Sequence, residues 1–440
     1  MDLRGMFAPS SVAVVGATDR EGSVGRAILE NLEPFGGEVI PVNPNRESVL
    51  GMDCVASLSE AGGVDLAVVV VPPALAVDVV RDAGEAGVRD VVVITAGFGE
   101  AGSEGAARER ELAAVAEEYD LNLVGPNCLG IISTTKGLNA TFGPTMADPG
   151  NVSFMSQSGA FVTAVLDWAT DEGIGFKDVV SLGNKAVLDE TDFLRSWGED
   201  PDTDVVLGYL ESIEDGRAFI EHGREVTEET PVVLAKSGRT EAGAQAASSH
   251  TGAIAGSDRA YEAGLKQAGV IRVDSVQELF DFGRVLADQP LPESESVAIV
   301  TNAGGPGVMT TDAIGDSSLS LASLSEATID TLTERLPEEA SVYNPVDVLG
   351  DAGLQRFEET LDAVLADPGV GAAVVIACPI AVLDWEDLAE AVVERQREYG
   401  TPVVTCLMGG ERAGPAEAVL GEAGIPNFFD PARAVDSLDA

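Results

Sequence analysis

At 440 residues the chain is long enough for roughly three domains of about 150 residues each. Its 74 acidic residues against 26 basic ones leave a net charge of -48, and a 45% hydrophobic content excludes an acidic disordered chain, placing the charge on the surfaces of folded domains. Such a surface repels nucleic-acid phosphates and anionic membranes, and with no cluster of Lys and Arg as an exception neither is expected as a partner.

Residues 1–5 carry no basic stretch leading into an apolar run, so no leader is read and a cytoplasmic protein is expected. Short Val/Ile/Leu runs then alternate with glycine turns and helical stretches, the signature of repeated βα units with parallel strands buried on both faces. The first block has five such runs, at residues 11–15, 38–42, 65–71, 88–95 and 121–124. The strongest ends at Pro72-Pro73, far short of the ~20 residues of a membrane span. A turn-rich stretch at residues 134–150 reads as a boundary. The second block has runs at residues 152–155, 179–182, 205–210 and 232–235, and ends in the Pro- and acid-rich segment 289–295. A third block has runs at residues 297–301, 372–377 and 403–406. The expected architecture is α/β, three doubly wound parallel-sheet domains at residues 1–140, 145–289 and 295–440.

Only five of the basic residues are lysines (Lys136, Lys177, Lys185, Lys236, Lys266). An acid-rich, lysine-poor surface fits a cytosol of molar salt, where a Debye length of about 3 Å screens self-repulsion, so a halophilic protein is expected. Cys54, Cys128, Cys378 and Cys406 form no Cys-x-x-Cys pair, which reads as reduced thiols without a zinc site; no metal site is expected in a chain with two histidines.

Each block opens with a strand feeding a glycine turn. In the first, Gly16-Ala17-Thr18 through Gly22-Ser23-Val24-Gly25 precedes a helix whose N-terminus can hold a phosphate, or is a turn that needs glycine for packing alone. Its spacing is not Gly-x-Gly-x-x-Gly, and Val42-Asn43-Pro44-Asn45 offers no acid for a nicotinamide ribose, which disfavours NAD. In the second, Ser156-Gln157-Ser158-Gly159 offers two hydroxyls and free amides, readable as an anion cradle or a helix cap. The third is Asn302-Ala303-Gly304-Gly305-Pro306-Gly307. His250 lies in the small-residue segment Ala246-Ala247-Ser248-Ser249-His250-Thr251-Gly252, and imidazole accepts a phosphoryl group when a carboxylate orients it; a surface histidine is the alternative. His222 reads as solvated. Glu211 ends the run 205–210 at the carboxyl edge of a parallel sheet, where it can orient His250 or simply face water. Cys128 reads as a nucleophile or as a buried structural thiol.

Taken together, Val14-Val15-Gly16-Ala17-Thr18, Pro41-Val42-Asn43-Pro44, Ala96-Gly97-Phe98-Gly99-Glu100, Gly125-Pro126-Asn127-Cys128-Leu129-Gly130, Ser156-Gln157-Ser158-Gly159-Ala160, Ser181-Leu182-Gly183-Asn184-Lys185, Ser249-His250-Thr251-Gly252 and Thr301-Asn302-Ala303-Gly304-Gly305 resemble, in order, the α part of the NDP-forming acyl-CoA synthetases. The likeness is to the ADP-forming acetyl-CoA synthetase (acetate–CoA ligase) branch, related to the succinyl-CoA synthetase α subunit, and runs along almost the whole chain.

The resemblance implies a Rossmann-like CoA-binding domain followed by two flavodoxin-like domains of the succinyl-CoA synthetase type, and reversible conversion of acyl-CoA, ADP and phosphate into a carboxylate, CoA and ATP. It implies CoA held by Gly16, Ala17, Thr18, Gly25, Val42, Asn43, Pro44, Asn45, Arg46, Pro72, Ile94, Thr95, Ala96 and Gly97. A phosphate and acyl site follows at Asn127, Ser156, Gln157, Ser158, Gly159 and Thr163, with His250 phosphorylated and Glu211 orienting it. ADP or ATP and Mg²⁺ are expected on an ATP-grasp β part, separate or fused, in an oligomer; acetate or its acyl-CoA is the expected substrate. The chain departs from the family pattern at Asn45-Arg46, where Lys is common, and at Val187, where an acid usually follows Gly-Asn-Lys. The alternatives are a CoA-binding regulatory module, as in protein acetyltransferases that have lost the loop histidine, and a succinyl-CoA synthetase α-type ligase.

Overall fold

The computed structural model describes residues 3–240, 242–243 and 257–440, which divide into two compact units, Met1–Leu279 and Phe280–Ala440.

The first unit holds two large sheets. One is built from β1 (Ser11–Val15), β2 (Glu38–Val42), β5 (Leu66–Val69), β6 (Asp90–Val93) and β7 (Asn122–Val124), all parallel in the order β2-β1-β5-β6-β7. A small hairpin of β3 (Ser48–Val49) and β4 (Met52–Asp53) follows β2. The chain reverses winding direction between β1 and β5, the position at which doubly wound sheets open a ligand crevice outside their carboxyl ends. Every residue of β1 and β5 is buried, so these strands read in sequence as unbroken apolar runs rather than alternations. Between β5 and β6 lies the helix Pro73–Glu85, started by a proline whose missing N–H costs nothing in a first turn.

The second sheet comprises β8 (Gly130–Ser133), β9 (Leu138–Thr141), β10 (Pro149–Ser156), β11 (Phe176–Ser181), β12 (Val205–Leu210), β13 (Val232–Lys236) and β14 (Ile271–Val273), in the order β14-β13-β12-β10-β11-β8-β9. Strands β10 to β14 are parallel; β8 and β9 add an antiparallel hairpin edge. The stretch 134–150, read from sequence as a turn-rich boundary, therefore contains a strand of the second sheet. Polar residues hide it: Asn139 and Thr141 are buried in β9 and satisfy each other, Thr141 Oγ1 donating to Asn139 Oδ1 at 2.7 Å. Asn31, on the helix Val24–Asn31, donates to the carbonyls of Thr141 and Gly143. Phe7, Phe193 and Trp197 pack at centroid separations of 5.6 to 6.2 Å and belong to one apolar core with Val14 of the first sheet and Met155 of the second.

The second unit is built on a parallel sheet of β15 (Ser296–Thr301), β16 (Ser320–Leu321), β17 (Val346–Asp347), β18 (Ala372–Ala377) and β19 (Val403–Leu407), ordered β16-β15-β18-β19 with β17 also on β15. The α/β, doubly wound expectation is met. No described helix is long and apolar enough to cross a membrane.

Candidate active site

The four segments assigned to CoA all follow carboxyl ends of the first sheet, after β1, β2, β5 and β6. Gly16 has φ +98°, and a Cβ there would stand 2.2 Å from the Val70 carbonyl oxygen, so only glycine lets the chain turn against β5. Its N–H donates to Val42 O at 2.9 Å, and Asn43 Nδ2 donates to Ala17 O at 2.8 Å, which ties the glycine turn to the end of β2. Ser23 stands at the N-cap of Val24–Asn31, yet its hydroxyl donates back to Arg20 O and caps nothing. The leading amides of that helix are thus left for another acceptor. Arg46 pairs with Asp19 at 3.0 Å, which puts the cation beside the glycine loop. Pro72 is the N-cap of Pro73–Glu85, and Thr95 Oγ1 donates to Val71 O at 2.8 Å. Gly97 N and Phe98 N both donate to Glu100 Oε1, while Arg108 donates to Gly97 O. Burial pushes the Glu100 carboxyl up, but Asn184 and these amides together hold it below the usual range.

The second group sits at the carboxyl edge of the second sheet. Ser156 Oγ accepts from Ser158 N and donates to Ser158 O, and Ser158 Oγ accepts from Phe161 N, capping Gly159–Asp171. The Ser158 hydroxyl thus caps the helix, while the Ser156 hydroxyl closes the turn that leads into it. A Cβ on Gly159 would meet Leu129 N at 3.3 Å, so the helix starts hard against the Asn127-Cys128-Leu129 turn. Thr163 lies one turn in and donates to Ala160 O. Gln157 reaches sideways: Oε1 accepts from the amides of Glu211 and Ser212 at 2.9 and 3.0 Å, and Nε2 donates to Ser212 Oγ at 3.2 Å. Glu211 accordingly leaves β12 along a path fixed by β10. Nearby, burial lowers the Lys236 ammonium, as does Arg272, while Asp258 and Glu211 act to raise it; its Nζ stands 4.2 Å from the centroid of the Tyr261 ring.

Asn127 links the two edges. It adopts φ +58°, its N–H donates to Thr95 O, and its Nδ2 donates to Asn184 Oδ1 at 3.1 Å. Asn184 in turn donates to Glu100 Oε2 and Glu109 Oε2 at 2.6 and 2.7 Å. His250 lies outside the described residues. Cys128 is buried, donates to Val93 O, and burial pushes its thiol up to about 12, which removes it as a nucleophile near neutral pH. His222 bonds Glu225 at 3.0 Å and is half-buried rather than fully solvated.

Family models for a CoA binding domain, a succinyl-CoA ligase like flavodoxin domain and a ligase-CoA domain match residues 10–134, 149–286 and 297–435. The α subunit of Pyrococcus furiosus acetate–CoA ligase (ADP-forming) I is 40% identical over 451 residues, covering 100% of this chain and 97% of that subunit. The chain belongs to the α-type family of ADP-forming acetate–CoA ligases. Archaeoglobus fulgidus acetate–CoA ligase (ADP-forming) I is 48% identical over 98% of the chain, which spans only 62% of that longer relative. Among solved structures, acetyl-coenzyme A synthetase 1 of Ca. Korarchaeum cryptofilum in complex with phosphate and ADP superposes with a TM-score of 0.95 at 39% identity, covering 100% of this chain and 96% of that one.

Sequence reasoning missed the charged cluster behind the α-type family's Gly-Asn-Lys turn. Lys185 and Glu190 are buried and paired at 2.9 Å, and Lys185 Nζ also reaches Ser212 O, Ser212 Oγ and Glu214 Oε1. Val187 packs against the apolar core, and Glu190 is the carboxylate that faces Lys185. The available signal was composition: in a chain with five lysines, Lys177, Lys185 and Lys236 are buried. A lysine kept against such a bias marks a place where the ammonium is needed inside. A cavity of about 950 Å³ lies between the helices Gly216–Val226 and Asp258–Gln267, away from the residues assigned to CoA.

Proposed function

We propose that this chain supplies the CoA-binding and phosphohistidine half of an ADP-forming acyl-CoA ligase, with acetyl-CoA as the first substrate to try. The observation that carries the reading is the 40% identity over 97% of an acetate–CoA ligase α subunit. The geometry supports it, because the turn after β6 of one sheet, at Thr95 and Glu100, and the turn after β11 of the next, at Asn184, are tied together through Asn127 and Asn184.

In this account CoA lies along Gly16, Ala17, Thr18, Gly25, Val42 to Arg46, Pro72 and Ile94 to Gly97, its phosphates toward the amides of Val24–Asn31 and Arg46. A phosphate oxygen attacks the thioester carbonyl beside Asn127, Ser156, Gln157, Ser158, Gly159 and Thr163; the C–S bond breaks and CoA leaves as thiolate. The helix N-terminus at Gly159 meets the anion with backbone amides, a device that suits a protein of such acidity. His250 attacks the phosphorus of the acyl phosphate and the carboxylate departs. Glu211 holds the far imidazole N–H and stabilises the cation as the phosphoryl group arrives. An ATP-grasp part, separate or fused, would hold ADP and Mg²⁺, and a terminal phosphate oxygen of ADP would take the phosphoryl group as the N–P bond to His250 breaks, giving ATP and free histidine.

Incubating the chain with acetyl-CoA in molar KCl, with and without phosphate, tests the first step. Phosphate-dependent release of CoA, measured chromatographically, is expected. CoA binding without any phosphate-dependent release would instead favour a regulatory module.

A further inference from the structure

The corner where β12 ends is held from three directions, by Gln157 of the phosphate site and by Lys185 and Glu190, which play no part in the steps above. Gln157, from the end of β10, accepts from the amides of Glu211 and Ser212. Lys185, from the end of β11, donates to Ser212 O at 3.0 Å and Ser212 Oγ at 3.1 Å. Glu190, in the first turn of Glu190–Gly198, uses both oxygens: Oε2 takes Lys185 Nζ and Oε1 accepts from Glu214 N at 2.8 Å. The side chains of Lys185 and Glu190 are 1% and 0% exposed, whereas Glu214 is half exposed.

Two features argue that this is more than an ion pair filling a core. Lys185 adopts φ +57°, and Gly183 before it φ +61° with Pro126 O 2.3 Å from where a Cβ would stand. A lysine held in the left-handed region is uncommon and persists only where its surroundings fix it. A buried pair also gains little over apolar residues of the same size, so its retention points to geometry rather than stability. What these bonds fix is the backbone of Glu211, Ser212 and Glu214, and through Asn184, the neighbour of Lys185, the same turn is tied to Glu100 beside Gly97.

We propose that Lys185, paired with Glu190 and bonded to Ser212, is a positioning residue that sets the place of Glu211, and so the rate at which His250 takes the phosphoryl group. This rests on the reading above in which Glu211 orients His250. The side chain touches neither substrate nor the reacting atoms; it acts through the peptide that carries Glu211.

The test measures the rate of protein phosphorylation from acetyl-CoA and radiolabelled phosphate in molar KCl. Lys185→Met/Glu190→Leu removes both charges together, so no buried charge is left unpaired, and Ser212→Ala removes only hydroxyl bonds and guards against a fold that fails. Each is expected to lower the maximal labelling rate, by up to about 10²-fold for the double change given the sensitivity of aligned groups to displacement of about 1 Å. The acetyl-CoA concentration for half-maximal rate should stay unchanged. In a Glu211→Gln background the same substitutions should cost less than about twofold, because their effect runs through Glu211. Folded variants that label at the wild-type rate, or losses that multiply with that of Glu211→Gln, would overturn the proposal while leaving the phosphohistidine reading intact. Wild-type protein that binds CoA and takes no label would overturn both.

Discussion

Asp178 gives a stability prediction whose size follows from its surroundings. It lies within β11, 3% exposed, with Oδ1 buried and without a hydrogen-bond partner. Burial raises its carboxyl from 3.8 to about 6, against the opposing pull of Ser133 and Lys177. The fold therefore keeps a proton that the unfolded chain releases. Its contribution is intact below about pH 3.8 and lost as pH rises through about 6. At about 1.4 kcal/mol per pH unit, the gap corresponds to about 3 kcal/mol. Asp178→Asn cannot ionise and keeps the volume, so the variant should gain on the wild type by up to about 3 kcal/mol between pH 4 and 7. Urea unfolding in constant molar KCl at several pH values measures this. A stability difference that stays flat across that range would refute the reasoning.

Three further outcomes are expected. Gly16→Ala should cost at least about 1 kcal/mol from the left-handed backbone alone and abolish acetyl-CoA binding, because the new methyl collides with Val70 O; unchanged binding in calorimetry would remove that turn from the CoA site. Iodoacetamide at about pH 8 should modify the half-buried Cys54 and Cys378 well before Cys128 and Cys406, whose thiols burial pushes up to about 12; peptide mass spectrometry reads the order, and early loss of Cys128 would contradict it. Lowering KCl from molar to about 0.01 M lengthens the Debye length from about 3 to about 30 Å, so circular dichroism should report lost structure; an unchanged spectrum would refute the halophilic reading.

The first and third sheets were legible because their central strands are buried on both faces and appear as apolar runs, as at Leu66–Val69 and Ala372–Ala377. The hairpin of β8 and β9 was not, since a buried Asn139–Thr141 bond erases the apolar signal that burial usually leaves. The strand ends that carry the proposed site residues could be located from sequence because strand-to-glycine turns punctuate the chain. Their supports could not: the reach of Gln157 to Ser212 spans 55 positions and that of Lys185 spans 27, and no local pattern encodes such pairings. Composition came closest, through the scarcity of lysine, yet it could not say which lysines turn inward.

The central claim is that His250 carries the phosphoryl group. Incubation with acetyl-CoA and radiolabelled phosphate in molar KCl, followed by peptide mapping of wild type and His250→Ala, tests it most directly. The account predicts acid-labile, base-stable label on the peptide containing His250, absent from the variant. Label of equal amount on both proteins, or none on a wild type that binds CoA, would contradict it.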